Sequence, residues 1–158
     1  PRRRGAMVEI VCQGANLTRM FAKFSPTQAP FVEVRHLSEH EALKAGRSAS
    51  SPSCGQVVGR TRPHEGGNKK PRWDGPPLSV DPARGGALLF RVLISGVLGS
   101  DVSCGECLVD LSSLLQQQSP LTVQLHRKGE PTGFLLFAFG PAGHAAARAG
   151  AAHGDPRG

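Results

Sequence analysis

Residues 87–95 read ALLFRVLIS, and residues 103–111 read SCGECLVDL. Apolar side chains occur at alternate positions in both stretches, as at Phe90 and Val92 in the first and at Val109 in the second. Alternation with a period of two is typical of β-strands, and the Gly- and Ser-rich stretch between them suits a turn. The pattern therefore predicts two neighbouring antiparallel strands.

The same criteria identify strands along most of the chain. The predicted strands are residues 7–14, 31–37, 55–62, 72–80, 87–94, 103–111, 120–126 and 133–139. Eight short strands, Gly/Pro-rich turns and little helix predict an all-β fold, an eight-stranded antiparallel β-sandwich. In the second strand Val32 and Val34 form the apolar pair, so Phe31 is expected to be exposed or to lie at a bulge.

Composition divides the chain into one domain and two tails. A length of 158 residues with 39% hydrophobic content suits a single core. The predicted parts are a basic stub at 1–6, the sandwich at 7–140 with an inserted loop at 38–53 and one helical turn at 39–44, and a disordered Ala/Gly-rich tail at 141–158. Apolar runs stay well short of the roughly 18 residues of a membrane-spanning helix. We expect a cytoplasmic protein that attaches peripherally to membranes.

Several segments occur in the order and spacing of a known family. They are Val8 to Val11, Gly14 to Leu17, Pro30 to Val34, Thr61, Asn68 to Asp74, Gly105-Glu106 with Val109 and Leu111, and Gly129 to Leu135. Over about residues 7–139 the chain resembles a C2 domain, the lipid-binding β-sandwich module, and is most similar to small plant-type C2 proteins. The resemblance implies a non-catalytic targeting module.

The resemblance also implies where calcium would bind in a calcium-dependent member. Such members hold the ion with aspartates from two loops, because calcium takes about 6–8 oxygen ligands. In this chain Ala29 occupies one of those positions, and residues 15–30 contain no Asp or Glu. The other loop has Ile94, Gly96 and Val102 at aspartate positions and retains only Asp101. We therefore expect a calcium-independent member without a cofactor.

Apolar residues in these two loops are candidates for membrane insertion. They are Met20, Phe21 and Phe24 in the first loop and Val97 and Leu98 in the other. Large apolar side chains at loop tips can enter the headgroup boundary of a bilayer. The alternative is that they cap the open end of the core.

A basic set is the second candidate for lipid binding. It consists of Arg60, Arg62, Lys69, Lys70 and Arg72, and the chain carries a formal net charge of +7. In C2 domains such a cluster contacts acidic headgroups, and each basic residue near an anionic surface contributes about 1 kcal/mol. The alternative is a solvated sheet edge that resists aggregation. Nucleic acid is not expected as the partner, because Trp73 is the only Trp and Tyr is absent.

The main hypothesis is calcium-independent binding to anionic phospholipid, and the alternative is a protein-interaction domain without lipid binding. A zinc metalloprotease is a distant third, because His36, Glu39 and His40 satisfy H-x-x-E-H. This motif begins at the end of a strand rather than inside a helix, so we treat it as a chance match. Cys104 and Cys107 form a lone CxxC, and a buried apolar role is expected for Cys107.

Overall fold

The computed structural model describes residues 7–47, 55–96 and 99–142. The basic stub, the end of the inserted loop, Val97, Leu98 and nearly all of the predicted tail lie outside these residues. The strands are β1 (Val8–Leu17), β2 (Phe31–Leu37), β3 (Gln56–Arg60), β4 (Leu78–Val80), β5 (Ala87–Ser95), β6 (Asp101–Asp110), β7 (Leu121–Arg127) and β8 (Glu130–Pro141). The helices are α1 (Glu39–Arg47) and α2 (Leu111–Leu115), and Pro82–Arg84 forms a 3-10 turn.

The strands form one antiparallel sheet that folds over on itself. Their order is β3-β2-β5-β6-β7-β8-β1-β4, and β6 joins β7 through the pair Glu106 and His126. Phe90 of β5 stacks on Phe137 of β8 with ring centroids 4.4 Å apart, although these strands are not neighbours in the sheet. The two halves therefore face each other across a core, which confirms the predicted eight-stranded sandwich.

The core contains the alternating apolar residues that the sequence pattern singles out. Val32 and Val34 on β2 and Leu88, Phe90 and Val92 on β5 are buried and belong to one cluster. Complete burial of a side chain of this size contributes about 1.5–3 kcal/mol. The inward side chains of the central strands thus hold the two layers together.

The expectation for Phe31 is wrong. Phe31 is buried, and the register shift of β2 lies farther along, between Val34 and Arg35. β2 is an interior strand between β3 and β5, and its second face carries buried residues as well. Phe31 pairs there with Leu93 of β5, which is likewise buried. Strand alternation correctly places Phe31 on the face opposite to Val32 and Val34, but Phe31 is not exposed on that face.

Several elements differ in length from their predictions; β8, for example, was predicted at 133–139 and spans Glu130–Pro141. The predicted strand at 72–80 is reduced to β4 and a separate bridge between Gly14 and Arg72, because the prolines of this segment cannot donate ladder hydrogen bonds. Helix α1 exceeds the expected single turn. Its start is a capping box, in which Ser38 Oγ accepts from Glu41 N at 3.2 Å and Glu41 Oε1 accepts from Ser38 N at 3.0 Å.

Antiparallel pairing places several loops at one end of the sandwich. Phe31 at the start of β2 pairs with Leu93 near the end of β5, and Leu17 at the end of β1 pairs with Gly133 near the start of β8. We call this the loop end; it carries the loops at 18–30 and 61–68, the end of β5, the start of β6 and the turn at 128–129. Both helices lie at the opposite end.

Candidate functional site

The carboxylates at the loop end do not form a metal-binding cluster. Asp101 is exposed at the start of β6. Ile94 is buried in the core and Val102 packs against it. Across residues 7–47, 55–96 and 99–142, no group of three or more His, Cys, Asp or Glu side chains is arranged to hold a metal ion.

Hydrogen bonds from one glutamine organise the first loop. Gln28 is buried, and its Oε1 accepts from the backbone N–H of Phe21 at 2.7 Å and of Ala22 at 3.0 Å. These contacts close residues 21–28 into a compact loop. Hydrogen bonds to one buried side chain therefore hold this loop in a defined shape.

The same glutamine connects the first loop to the loop at 61–68. Gln28 Nε2 donates to Asn68 O at 2.9 Å, and Gln28 N donates to Asn68 Oδ1 at 2.9 Å. Asn68 N donates in return to Gln28 O at 3.1 Å. Asn68 has φ +54°, a left-handed conformation that Asn tolerates better than most residues. We refer to these contacts together as the Gln28–Asn68 clamp.

Phe21 does not lie at the loop tip. It is 5% exposed and belongs to the core cluster. The guanidinium of Arg19 lies 4.2 Å from its ring centroid, and that of Arg127 lies 5.7 Å away. Both distances are within the range of cation–π contacts. Phe21 is therefore not free to insert. The alternative, that its side chain caps the core, is the correct one for this residue, and Gln28 Oε1 holds its backbone N–H.

Phe24 is the exposed apolar residue of this loop. Its side chain is 88% exposed, while Met20 is only partly exposed. Lys23, beside it in sequence, is also exposed. A solitary exposed Phe on a loop held by buried hydrogen bonds is a feature that can enter an apolar phase with little reorganisation.

Arg60 is not a free cation. Glu33 of β2 is 1% exposed and accepts from Arg35 at 2.5 Å, from Arg60 at 2.6 Å and from Arg91 at 3.0 Å. Burial alone would raise the pKa of Glu33, but the hydrogen bonds and charges of Arg35 and Arg60 outweigh it and lower that pKa. The carboxylate thus neutralises part of the basic set that the sequence suggested.

The four other members of the basic set lie at two places. Arg62 and Lys69 lie near the loop end, where Lys69 O accepts from Leu17 N at 2.7 Å. Lys70 and Arg72 lie farther down the edge of β1. All four are exposed, and none forms an ion pair with another described residue. The structure therefore divides the predicted patch between the loop end and the flank of the second layer.

Sequence reasoning missed other cations at the loop end. They are Arg19 and Lys23 in the first loop and Arg127 and Lys128 at the β7–β8 turn. The alternation of basic and apolar residues in RMFAKF at 19–24 was an available signal for the first pair. No local signal identified the second pair, because only the pairing of β8 with β1 brings this turn beside the first loop.

The H-x-x-E-H match does not form a metal site. His36 is the next-to-last residue of β2, and its Nε2 lies 2.7 Å from the carbonyl of Gly85, to which it donates. Glu39 and His40 lie in the first turn of α1 and are exposed. A zinc-binding pair of this type requires both histidines on one helix face, whereas His36 lies on a strand.

Cys107, for which burial was expected, is less buried than Cys104. Cys104 is fully buried, whereas Cys107 is half-buried. Burial raises the pKa of Cys104 to about 12 and that of Cys107 to about 11. Both thiols are therefore protonated at neutral pH and are poor nucleophiles and poor metal ligands. A register shift opposite Val92 and Leu93 turns Cys104 inward, which strand alternation alone could not show.

Known proteins resemble this chain in structure more than in sequence. No protein-family profile matches it, and no curated protein is significantly similar in sequence. A C2 domain of plant extended synaptotagmin 1 superposes with a TM-score of 0.57 at 15% identity, covering 89% of this chain and 98% of that one. For a C2 domain of BON1 the TM-score is 0.54 at 12% identity, covering 87% and 94%.

A third match comes from a longer protein. Human GIVD cytosolic phospholipase A2 superposes with a TM-score of 0.58 at 14% identity, covering 90% of this chain but 17% of the phospholipase. None of the helices in the described residues is long and apolar enough to cross a membrane. At identities this low the matches concern the fold, and together with the observed strand order they show that this chain has the fold of a C2 domain.

Proposed function

We propose that this domain is a non-catalytic, calcium-independent targeting module that docks its loop end on anionic phospholipid membranes. The exposure of Phe24 on a loop fixed by the Gln28–Asn68 clamp is the observation that supports this most directly. The C2 fold is in general that of a membrane- or protein-targeting module. In this chain amide hydrogen bonds connect the loops at 18–30 and 61–68, and of the carboxylates that calcium would need only Asp101 is retained.

The cations around Phe24 would supply the electrostatic attraction. Arg19, Lys23, Arg127 and Lys128 lie on two adjacent connections of the loop end. At about 1 kcal/mol each they contribute roughly 4 kcal/mol next to an anionic surface. Burial of the Phe24 ring adds about 2 kcal/mol. The sum of about 6 kcal/mol corresponds to a Kd of tens of micromolar, typical of a reversible peripheral attachment that uses two signals.

The basic set contributes unequally to this docking. Arg62 and Lys69 are close enough to the loop end to strengthen it. Arg60 contributes less, because its guanidinium is paired with Glu33. Lys70 and Arg72 lie along the flank, so they act mainly through the long-range field, which salt screens over about 10 Å at 0.1 M.

Sedimentation with liposomes tests the proposal. In low salt, the protein should bind vesicles that contain phosphatidylserine or phosphoinositides equally well in chelator and in calcium. Phe24→Ala should weaken binding about tenfold or more, since it removes most of the ring's burial energy. Leu43→Ala is the matched control, because Leu43 is also an exposed apolar residue, at 64%, but belongs to α1 at the opposite end. Absence of binding to anionic vesicles, or binding that requires calcium, would contradict the proposal.

A further inference from the structure

A groove on the outer face of the second layer is separate from the loop end. It has a volume of about 460 Å³ and is bounded by Gly14, Lys70, Arg72, Thr122, Phe134 and Leu136. The register of β8 with β1 and β7 places these residues side by side, because Leu136 pairs with both Gly14 and Thr122. Its volume is within the usual range of about 300–1,000 Å³ for small binding pockets.

The groove exists because β1 carries a glycine at its centre. The register of β1 with β8 shifts between Cys12 and Gly14. Ala15 N donates to Pro71 O at 3.1 Å, so the backbone of the segment at 70–72 forms a wall along β1. A Cβ at Gly14 would lie 3.0 Å from Pro71 O. Because Gly14 has no side chain, the 70–72 segment can approach β1 closely, and the space between them stays open as the groove.

The walls of the groove are of two chemical kinds. Lys70 and Arg72 are exposed cations without an ion pair among the described residues, and no carboxylate is among the groove's lining residues. Phe134 is 47% exposed, and Leu136 is partly exposed beside it. Asn16 and Thr122 present polar side chains at the margins. An apolar floor next to two positive charges is complementary to a ligand that is both apolar and acidic.

We propose that this groove binds a short acidic segment of a partner protein, with one bulky apolar side chain of that segment seated on Phe134 and Leu136. Carboxylates on either side of the apolar residue pair with Lys70 and Arg72. A lipid headgroup fits less well, because its phosphates and hydroxyls would leave the apolar floor without a partner. The groove also follows the flank of the sheet, whereas a membrane that meets the loop end approaches from another direction. The inference goes beyond the proposed membrane docking and does not depend on it.

Fluorescence polarisation with defined peptides tests the inference. The probe is a fluorescein-labelled peptide with one phenylalanine between two pairs of acidic residues, and its companion has serine in place of phenylalanine. The full chain should bind the phenylalanine peptide saturably and the serine peptide about tenfold more weakly, the difference expected for a partly buried aromatic ring. Phe134→Ser should remove most of this preference for phenylalanine.

Two double variants of equal charge locate the site. Lys70→Ala/Arg72→Ala should weaken binding of the phenylalanine peptide about tenfold, as expected for the loss of two exposed ion pairs. Lys23→Ala/Lys128→Ala removes the same charge at the loop end and should change the affinity less than about twofold, because those cations do not contact the peptide. Circular dichroism confirms that each variant is folded.

Three results would overturn the inference. The first is the absence of saturable peptide binding. The second is an equal loss of peptide affinity in the two double variants. The third is equal affinity for the phenylalanine and the serine peptides. If Lys70→Ala/Arg72→Ala instead abolished vesicle binding while the peptide did not bind at all, a membrane would be the occupant of this surface. Failure of Phe24→Ala to affect vesicle binding would contradict the membrane proposal alone.

Discussion

Glu33 is a buried carboxylate whose three arginine partners come from β2, β3 and β5. It connects these strands across the outer face of the first layer. Arg35 and Arg91 are largely shielded from solvent, and Glu33 supplies a counter-charge to both, while Arg91 also pairs with Glu106 at 3.5 Å. The basic residues that appear free in the sequence are therefore partly structural.

Glu33→Gln should lower the free energy of unfolding by about 3 kcal/mol. The substitution keeps the shape of the side chain but removes the carboxylate charge that three guanidinium groups share. Urea unfolding followed by circular dichroism measures the change. Glu65→Gln, at an exposed position of the loop at 61–68, should have an effect within about 0.5 kcal/mol of zero. Equal stability of both variants would show that the arginine cluster contributes nothing to the fold.

The pH dependence of stability follows from the same group. The arginines lower the pKa of Glu33 below its ordinary value of 4.5, so the stabilisation is present above that value and is lost as the pH falls through the lowered pKa of the folded state. Unfolding measured from pH 7 to pH 2 should show this loss in the wild type. In Glu33→Gln the decline should be shallower, and identical slopes would exclude Glu33 as a source of acid sensitivity.

Gln13 has an unusual environment. Its side chain is buried on β1, and neither its Oε1 nor its Nε2 has a hydrogen-bond partner among the described residues. A buried polar group without a partner costs about 1–3 kcal/mol. Methionine is similar in length to glutamine and lacks both polar atoms. Gln13→Met should therefore raise the free energy of unfolding by about 1 kcal/mol. Thermal or urea unfolding measures this, and a loss of stability would contradict the prediction.

At the scale of elements, the Gln28–Asn68 clamp joins the loops at 18–30 and 61–68. Gln28→Ala removes the acceptor of the Phe21 and Ala22 amides and the donor to Asn68 O. The free energy of unfolding should fall by about 2 kcal/mol, because buried backbone groups lose their partners. Hydrogen exchange should be faster at the two amides. Gln124→Ala, at an exposed position of β7, is the control, and unchanged exchange in Gln28→Ala would contradict a clamping role.

Strand periodicity was sufficient to predict the elements whose inner faces are uniformly apolar. β2 and β5 follow the predicted bounds closely, because Val32, Val34 and the even-numbered residues from Leu88 to Ile94 all contact the core. β4 was overestimated, because its preceding prolines prevent pairing over most of the predicted length. α1 begins at the predicted residue, where Ser38 and Glu41 cap each other, but it continues past the predicted end to Arg47.

The candidate site was less predictable than the fold. Phe21 and Phe24 are equivalent in the sequence pattern, yet only the hydrogen bonds of Gln28 determine which ring is buried. Arg60 resembles any other surface arginine until Glu33 is placed beside it by strand register. Such properties depend on contacts between residues far apart in the sequence, so composition and local spacing do not predict them.

At the scale of the whole molecule, two faces have distinct chemistry. The loop end combines one exposed aromatic ring with cations from two connections, and the flank of the second layer carries the groove with Lys70, Arg72 and Phe134. A membrane at the first face would leave the second free for a protein segment. The domain would then bring a partner to a lipid surface without an ion to trigger it.

Membrane insertion of residue 24 in the absence of calcium is the most direct test of the central claim. The indole introduced by Phe24→Trp can be monitored with vesicles of anionic lipid and brominated phosphatidylcholine, in a chelator, above the constant emission of buried Trp73. The proposal predicts a blue shift and quenching of that indole, with no change for Leu43→Trp on α1. An indole at position 24 that is neither shifted nor quenched, or one that responds only when calcium is added, would contradict it.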